Sequence, residues 1–158
     1  MRWSDLGEEN CPVARALSVV GDRWTLLILR ECFFRVRRFE DFQTRLGITR
    51  PVLSERLHRL IEDGVLMKRL YQERPLRHEY VLTEKGKALS PVLTALLVWG
   101  NEHMRAPGEP VYMQLRHQPC GHVVTPITIC PDCGEVLTPQ TVHMAPSDPE
   151  HPLNKRAQ

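Results

Sequence analysis

Between Phe39 and Leu82 the apolar residues change their rhythm twice, and this restricts the fold more than any other feature of the chain. Phe39, Phe42 and Leu46 recur at i, i+3 and i+7, as on one face of a helix. Gly47 suits the left-handed position that closes a helix, and Thr49 suits the cap of the next one. Leu53, Leu57, Leu60 and Ile61 then make a second helical stripe that stops at Gly64. Past that glycine the texture is strand-like, and residues 65–71 and 79–82 read as two short strands joined by a polar run. A helix, a short glycine-containing turn, a second helix and a hairpin together make a winged helix-turn-helix.

The flanks fit around this unit. Pro12 suits a first helical position, with Asn10 or Cys11 as cap and Val13, Leu17 and Val20 as a stripe; Gly21 ends that helix. Asp22 can cap a second helix with Trp24, Leu27, Ile28 and Cys32 facing inward. After Thr83 a stripe of Leu89, Val92, Leu93, Leu96, Leu97 and Met104 predicts a long helix, with Ser90 and Pro91 as cap and first residue. Nine of the thirteen prolines follow Met104, so helical periodicity ends there. The expected organisation is an arm (1–10), a winged-helix domain (11–104), a zinc-ribbon-like extension (105–145) and a disordered tail (146–158). The fold class is mainly α with a small β-hairpin, that is, α+β.

Whole-chain charge is only +2, but residues 35–77 hold eleven basic and six acidic side chains, a local excess of +5. Such a field attracts a polyanion over roughly 8 Å at physiological salt. At about 100° per residue, turning Leu53, Leu57, Leu60 and Ile61 inward presents Thr49, Arg50, Val52, Glu55, Arg56 and Arg59 to a DNA groove. Arginine matches the guanine edge, glutamate the cytosine amine and valine the thymine methyl. Arg74, Arg77 and His78 in the hairpin would hold phosphates or reach the minor groove. A solvated charged face is the plainer reading of the same residues. A winged-helix protein-interaction module without operator binding is the alternative function. No Ser/His/Asp or Cys/His catalytic spacing and no phosphate-binding glycine loop is present, so no enzyme is expected.

Cys11-Pro12-Val13, the run Gly21-Asp22-Arg23-Trp24-Thr25-Leu26-Leu27-Ile28, Phe39–Leu46, Ser54-Glu55-Arg56-Leu57 and Leu82-Thr83-Glu84-Lys85-Gly86 resemble the HxlR-type winged-helix transcriptional regulators of bacteria, relatives of the MarR group. The resemblance spans about residues 11–104. It implies a homodimer paired through its first and last helices, a near-palindromic operator and control of adjacent genes. It also implies regulation, by repression, answering to an oxidant, an electrophile or a small molecule. The stripe over residues 89–104 agrees, since it exceeds what one small domain can cover and Trp99 lies off it.

Five cysteines suggest two further chemistries. Cys11, at a helix N-terminus with Arg15 one turn on, is a redox-sensing candidate, because the helix dipole favours thiolate. Redox-sensing members of the resembled family use a cysteine at this Cys-Pro site, whereas the plain reading is an unreactive cap residue. Cys32 reads as packing. His117 with Cys120 and Cys130 with Cys133 are two pairs, each spaced by two residues and separated by nine. They would offer four ligands to one structural Zn²⁺ per chain. His122 competes with His117 for the fourth place, spacing favouring His117, and a Cys130–Cys133 dithiol is the other reading. The longest apolar run, residues 95–99, is far short of a membrane span, and the acidic N-terminus is no secretory signal, so a cytoplasmic protein is expected.

Overall fold

A computed structural model describes residues 7, 8 and 10–148; most of the expected arm, and the tail from residue 149, lie outside the described residues. The chain divides into a unit ending at Pro110 and a second beginning at Val111. In the first, α1 (Pro12–Val20) and α2 (Arg23–Phe33) meet at Gly21 and Asp22. The Asp22 carboxylate caps α2, accepting from the amides of Trp24 at 2.9 Å and Thr25 at 3.3 Å. Helix α3 (Phe39–Leu46) closes on Gly47 at φ 61°, the left-handed geometry that a side chain would oppose. Ile48 drops into the core, and α4 (Arg50–Glu62) begins. Thr49 holds the cap position of α4, but its side chain makes no cap bond. Pro51, at the second helical place, has no N–H to give it.

Ile28, Leu29, Phe42, Leu53, Leu57, Leu60, Val65 and Leu66 form one buried centre shared by α2, α3, α4 and the root of the hairpin. Strands β1 (Leu66–Gln72) and β2 (Arg77–Leu82) pair antiparallel from Leu66↔Leu82 to Leu70↔His78, with an irregularity before Gln72. The Tyr80 amide donates to the Arg37 carbonyl at 2.8 Å, and the Tyr80 ring meets Phe42 edge-on at 6.4 Å. The wing is thereby fixed to the approach of α3. Short α5 (Glu84–Lys87), capped by Thr83, leads into α6 (Ser90–His103), whose cap is Leu89 rather than the expected Ser90. Among the described residues no helix is long and apolar enough to cross a membrane.

Two features of the first unit stand out, the first in line with the apolar surplus expected of residues 89–104. On α1 only Val20 is buried, and Val13 and Leu17 stand exposed; α6 buries no residue at all. Their apolar faces therefore pack little against their own chain. The second is Glu31, 2% exposed on the face of α2 that also buries Thr25, Ile28, Leu29 and Cys32. Its carboxylate accepts from Arg30 at 2.6 Å and from Arg45, at the end of α3, through a short contact. Burial pushes its pKa up, but the hydrogen bonds and charges of Arg45 and Arg30 outweigh this and hold it below its ordinary 4.5.

A depressed carboxylate stabilises the fold above the unfolded pKa and stops doing so as pH falls through the folded one. Glu31→Gln should therefore lower stability at neutral pH by about 1–3 kcal/mol, the worth of a charge-assisted hydrogen bond. The deficit should shrink as pH drops below 4.5. Parallel melting curves of both proteins between neutral and acid pH check this, and a constant deficit would refute it.

The second unit is sparser. β3 (Leu115–Arg116) and β4 (Val123–Val124) pair antiparallel, and a single bridge joins Ile129 to Val136. A zinc-ribbon-like extension calls for longer strands, but regular pairing is confined to these pieces. Pro126 removes a ladder donor, and among its described residues none is buried, so no apolar face rewards longer pairing.

Candidate nucleic-acid interface

The N-terminus of α4, the entrance to α3 and the wing surround an open groove of about 540 Å³. Arg38, Arg50, Lys68, Arg77 and His78 line it together with the rings of Phe39, Tyr71 and Tyr80. Three of the cations rest on those rings. The Arg50 guanidinium lies 4.7 Å from the Phe39 centroid, Arg38 5.0 Å from Tyr71 and the Lys68 ammonium 5.9 Å from Tyr80. A ring beneath a long cationic side chain limits its freedom without neutralising it, so less entropy is lost when an anion arrives. Glu40 and Asp41 also line the groove, in the first turn of α3, where they complement the helix dipole. Arg50 is the first residue of α4, and the positive end of that dipole adds to its own charge.

The sequence-derived contact residues divide into three groups. Thr49, Arg50, Arg74, Arg77 and His78 are exposed at the start of α4 or on the wing. Glu55 and Arg59 are exposed along α4 but engage each other at 3.0 Å. Arg56 and Val52 turn inward. The Arg56 side chain is 20% exposed, with Nε 3.1 Å from the Asp22 carboxylate that caps α2, an electrostatic contact without a directed hydrogen bond. Val52 is half-buried and packs on the core. Arg38, Phe39, Lys68 and Tyr71 were not among the expected contacts. The adjacent Arg37 and Arg38 ahead of α3 were the available signal, but the pairing of Arg38 with Tyr71 depends on where the wing folds back.

Cys11 is exposed at the cap position of α1, its carbonyl accepting from the Arg15 amide at 3.0 Å, while the Arg15 guanidinium reaches Asn10 Oδ1 at 3.4 Å. Cys32 is buried; desolvation, with the charge of Glu31 beside it, pushes its thiol up to about 12. It is thus protonated and inert at neutral pH. In the second unit His117 Nδ1 lies 3.1 Å from Cys120 Sγ. The amides of Cys133 and Asp132, with the Cys133 thiol, hold the Cys130 thiol below its ordinary value. Among the described residues no three His, Cys, Asp or Glu side chains converge as a metal-holding group.

Residues 19–107 match the HxlR-like helix-turn-helix family, more than half of the chain. An uncharacterized HTH-type transcriptional regulator of Mycobacterium tuberculosis, Rv3095, is 47% identical over 149 residues, covering 92% of this chain and 93% of its own length. That match extends well into the second unit. The crystal structure of PA1607, a candidate transcription factor, superposes with a TM-score of 0.80 at 36% identity, covering 90% of this chain and 98% of the other. The redox regulator HypR in its reduced form gives a TM-score of 0.56 at 29% identity, over 60% of this chain and 94% of its own.

Proposed function

The chain belongs to the HxlR-like helix-turn-helix family of transcriptional regulators, and from that membership we propose a dimeric, sequence-specific repressor that reads a near-palindromic operator. The observation that carries this reading is the groove in which Arg38, Arg50 and Lys68 rest on aromatic rings between α4 and the wing. Helix α4 enters the major groove from its N-terminus, with Thr49 and Arg50 leading and Arg59 and Glu55 following along the exposed face. Arg77, His78 and Arg74 on the wing, with Arg38 and Lys68, take the phosphates beside it. Arg56 belongs to the scaffold, holding α4 to the cap of α2.

The dimer accounts for α6, where Val92, Leu96 and Trp99 are all exposed; Trp99, set off the stripe in the sequence reading, falls within about 20° of Val92 on the wheel and so shares its face. Val13 and Leu17 on α1 extend the same requirement for a cover. Two-fold pairing places two α4 helices about one DNA turn apart, as a palindrome demands.

Cys11 is the proposed point at which an oxidant acts, supported by its exposure, its place at a helix start and the likeness to HypR. Two Cys11 thiols of a dimer would give two electrons and two protons to a peroxide-class oxidant and join as one disulfide. In a mobility shift with the DNA beside its own coding region, the reduced protein should bind as a dimer, and peroxide should release it. Cys11→Ser should bind equally well and resist release. Failure of the wild type to bind that DNA would contradict the operator reading. Peroxide release of Cys11→Ser would remove Cys11 from it.

A further inference from the structure

Two turns of the second unit share one backbone plan. In the first, the Gly121 amide donates to the His117 carbonyl at 2.7 Å and the His117 amide to the His122 carbonyl at 2.9 Å, with Gly121 at φ 72°. The second repeats it: Gly134 to Cys130 at 2.9 Å, Cys130 to the Glu135 carbonyl at 2.8 Å, Gly134 at φ 76°. Each turn sets its first and fourth side chains together, His117 with Cys120 and Cys130 with Cys133. In the first turn His117 Nδ1 lies 3.1 Å from Cys120 Sγ.

An independent observation concerns what holds the unit up. None of its described residues is buried, and its regular pairing amounts to two two-residue strands and one bridge. Val123, Val124, Ile127, Ile129 and Val136 are all exposed. Ordering a backbone costs about 1–2 kcal/mol per residue, and nothing apolar offsets it here. All three cysteines are free thiols, so no disulfide supplies the constraint. A small unit without a core needs a staple.

We propose that the second unit is a metal-stapled module in which His117, Cys120, Cys130 and Cys133 bind one Zn²⁺ in a closed tetrahedral site. Each turn already presents its pair, and the ion would bring the two pairs, which do not converge among the described residues, to a common centre. The three thiols release their protons to solvent on binding, and the imidazole binds neutral. Three thiolates on a dication leave one negative charge. Arg116, whose guanidinium donates to the Gly121 carbonyl, stands next to the first turn to balance it. With four protein ligands there is no open position, so the site is structural. His122 is left out: its carbonyl closes the first turn, while it is the His117 ring that meets Cys120.

The full chain, purified reduced and without chelator, should carry about one zinc per chain by elemental analysis, the stoichiometry of a single closed site. After chelator treatment, Co²⁺ should restore the unit with the visible absorption of tetrahedral cobalt and the ultraviolet charge-transfer bands of thiolate ligands. His117→Ala and Cys130→Ser should lose the metal on gel filtration, and His122→Ala should keep it. Because an unfolded Cys130→Ser unit would lose metal for a second reason, titration of the wild-type chain is decisive. A reduced chain that takes up neither Zn²⁺ nor Co²⁺, or takes up Co²⁺ without thiolate bands, overturns the proposal. Metal retained by His117→Ala and lost by His122→Ala overturns the ligand set.

Discussion

Gly86→Ala should destabilise the first unit by about 2–3 kcal/mol, the upper range for overpacking a site that cannot relax. For a unit of this size that is roughly a 10 °C fall in melting temperature. In an ordinary helix the same change is stabilising, by up to about 1 kcal/mol from propensity and unfolded-state entropy. Here a Cβ would lie 2.3 Å from the Val65 carbonyl oxygen and 2.9 Å from Leu82 Cδ2. The first of these is backbone, so no side-chain rotation makes room. That carbonyl is also held in place, since it accepts from the Thr83 amide at 3.1 Å. The Thr83 hydroxyl, in turn, receives the Gly86 amide at 3.1 Å and donates to the Gly64 carbonyl at 2.6 Å. Thr83 and Gly86 thus lock the end of the wing onto the end of α4. Thermal or urea melts compare the two proteins, and an unchanged or raised midpoint would mean that α5 is not seated on Val65.

Replacing Arg50 and Arg77 together by alanine should weaken operator binding by about a thousandfold while leaving the melting temperature close to wild type. Each such contact is worth about 1–3 kcal/mol, and a dimer loses both contacts twice. Arg50 and Arg77 are exposed and line the groove from opposite sides, α4 and the wing. Arg56→Ala is expected to behave in the opposite sense. Its guanidinium faces Asp22, so its removal should loosen the α2–α4 contact by up to about 1 kcal/mol, and the salt dependence of binding should not change. Equal losses of affinity from Arg56→Ala and from the double variant, with Arg56→Ala melting like wild type, would place Arg56 on the DNA and contradict the structure.

The helix-turn-helix and its wing were legible because they rest on local signals. Phe42, Leu53, Leu57 and Leu60 sit where the helical period puts them, and Gly47 and Gly64 take positive φ where the helices end. What a wheel cannot supply is the neighbour. Arg56 lies about 40° from Leu60 on the wheel, an azimuth equally open to solvent or to the scaffold, and only the fold of α2 brings Asp22 to it. Glu31 is misleading in the same way, a carboxylate on a buried face whose partner Arg45 comes from another helix. The α1 stripe of Val13 and Leu17 was read correctly as apolar, but its burial inside one chain does not follow from periodicity, and both are exposed. In the second unit the turns were visible in the cysteine spacing, whereas strand length was not, because it depends on a core that the described residues lack.

The proposed operator contact is one surface made jointly by the start of α4 and the wing. Its most direct test is operator affinity measured over a series of salt concentrations for wild type and for the Arg50→Ala/Arg77→Ala protein. Each phosphate contact contributes about 0.9 to the slope of log affinity against log salt, so the double variant should bind with a slope shallower by about 2–4. If the two slopes coincide and the affinities match, DNA does not lie in that groove.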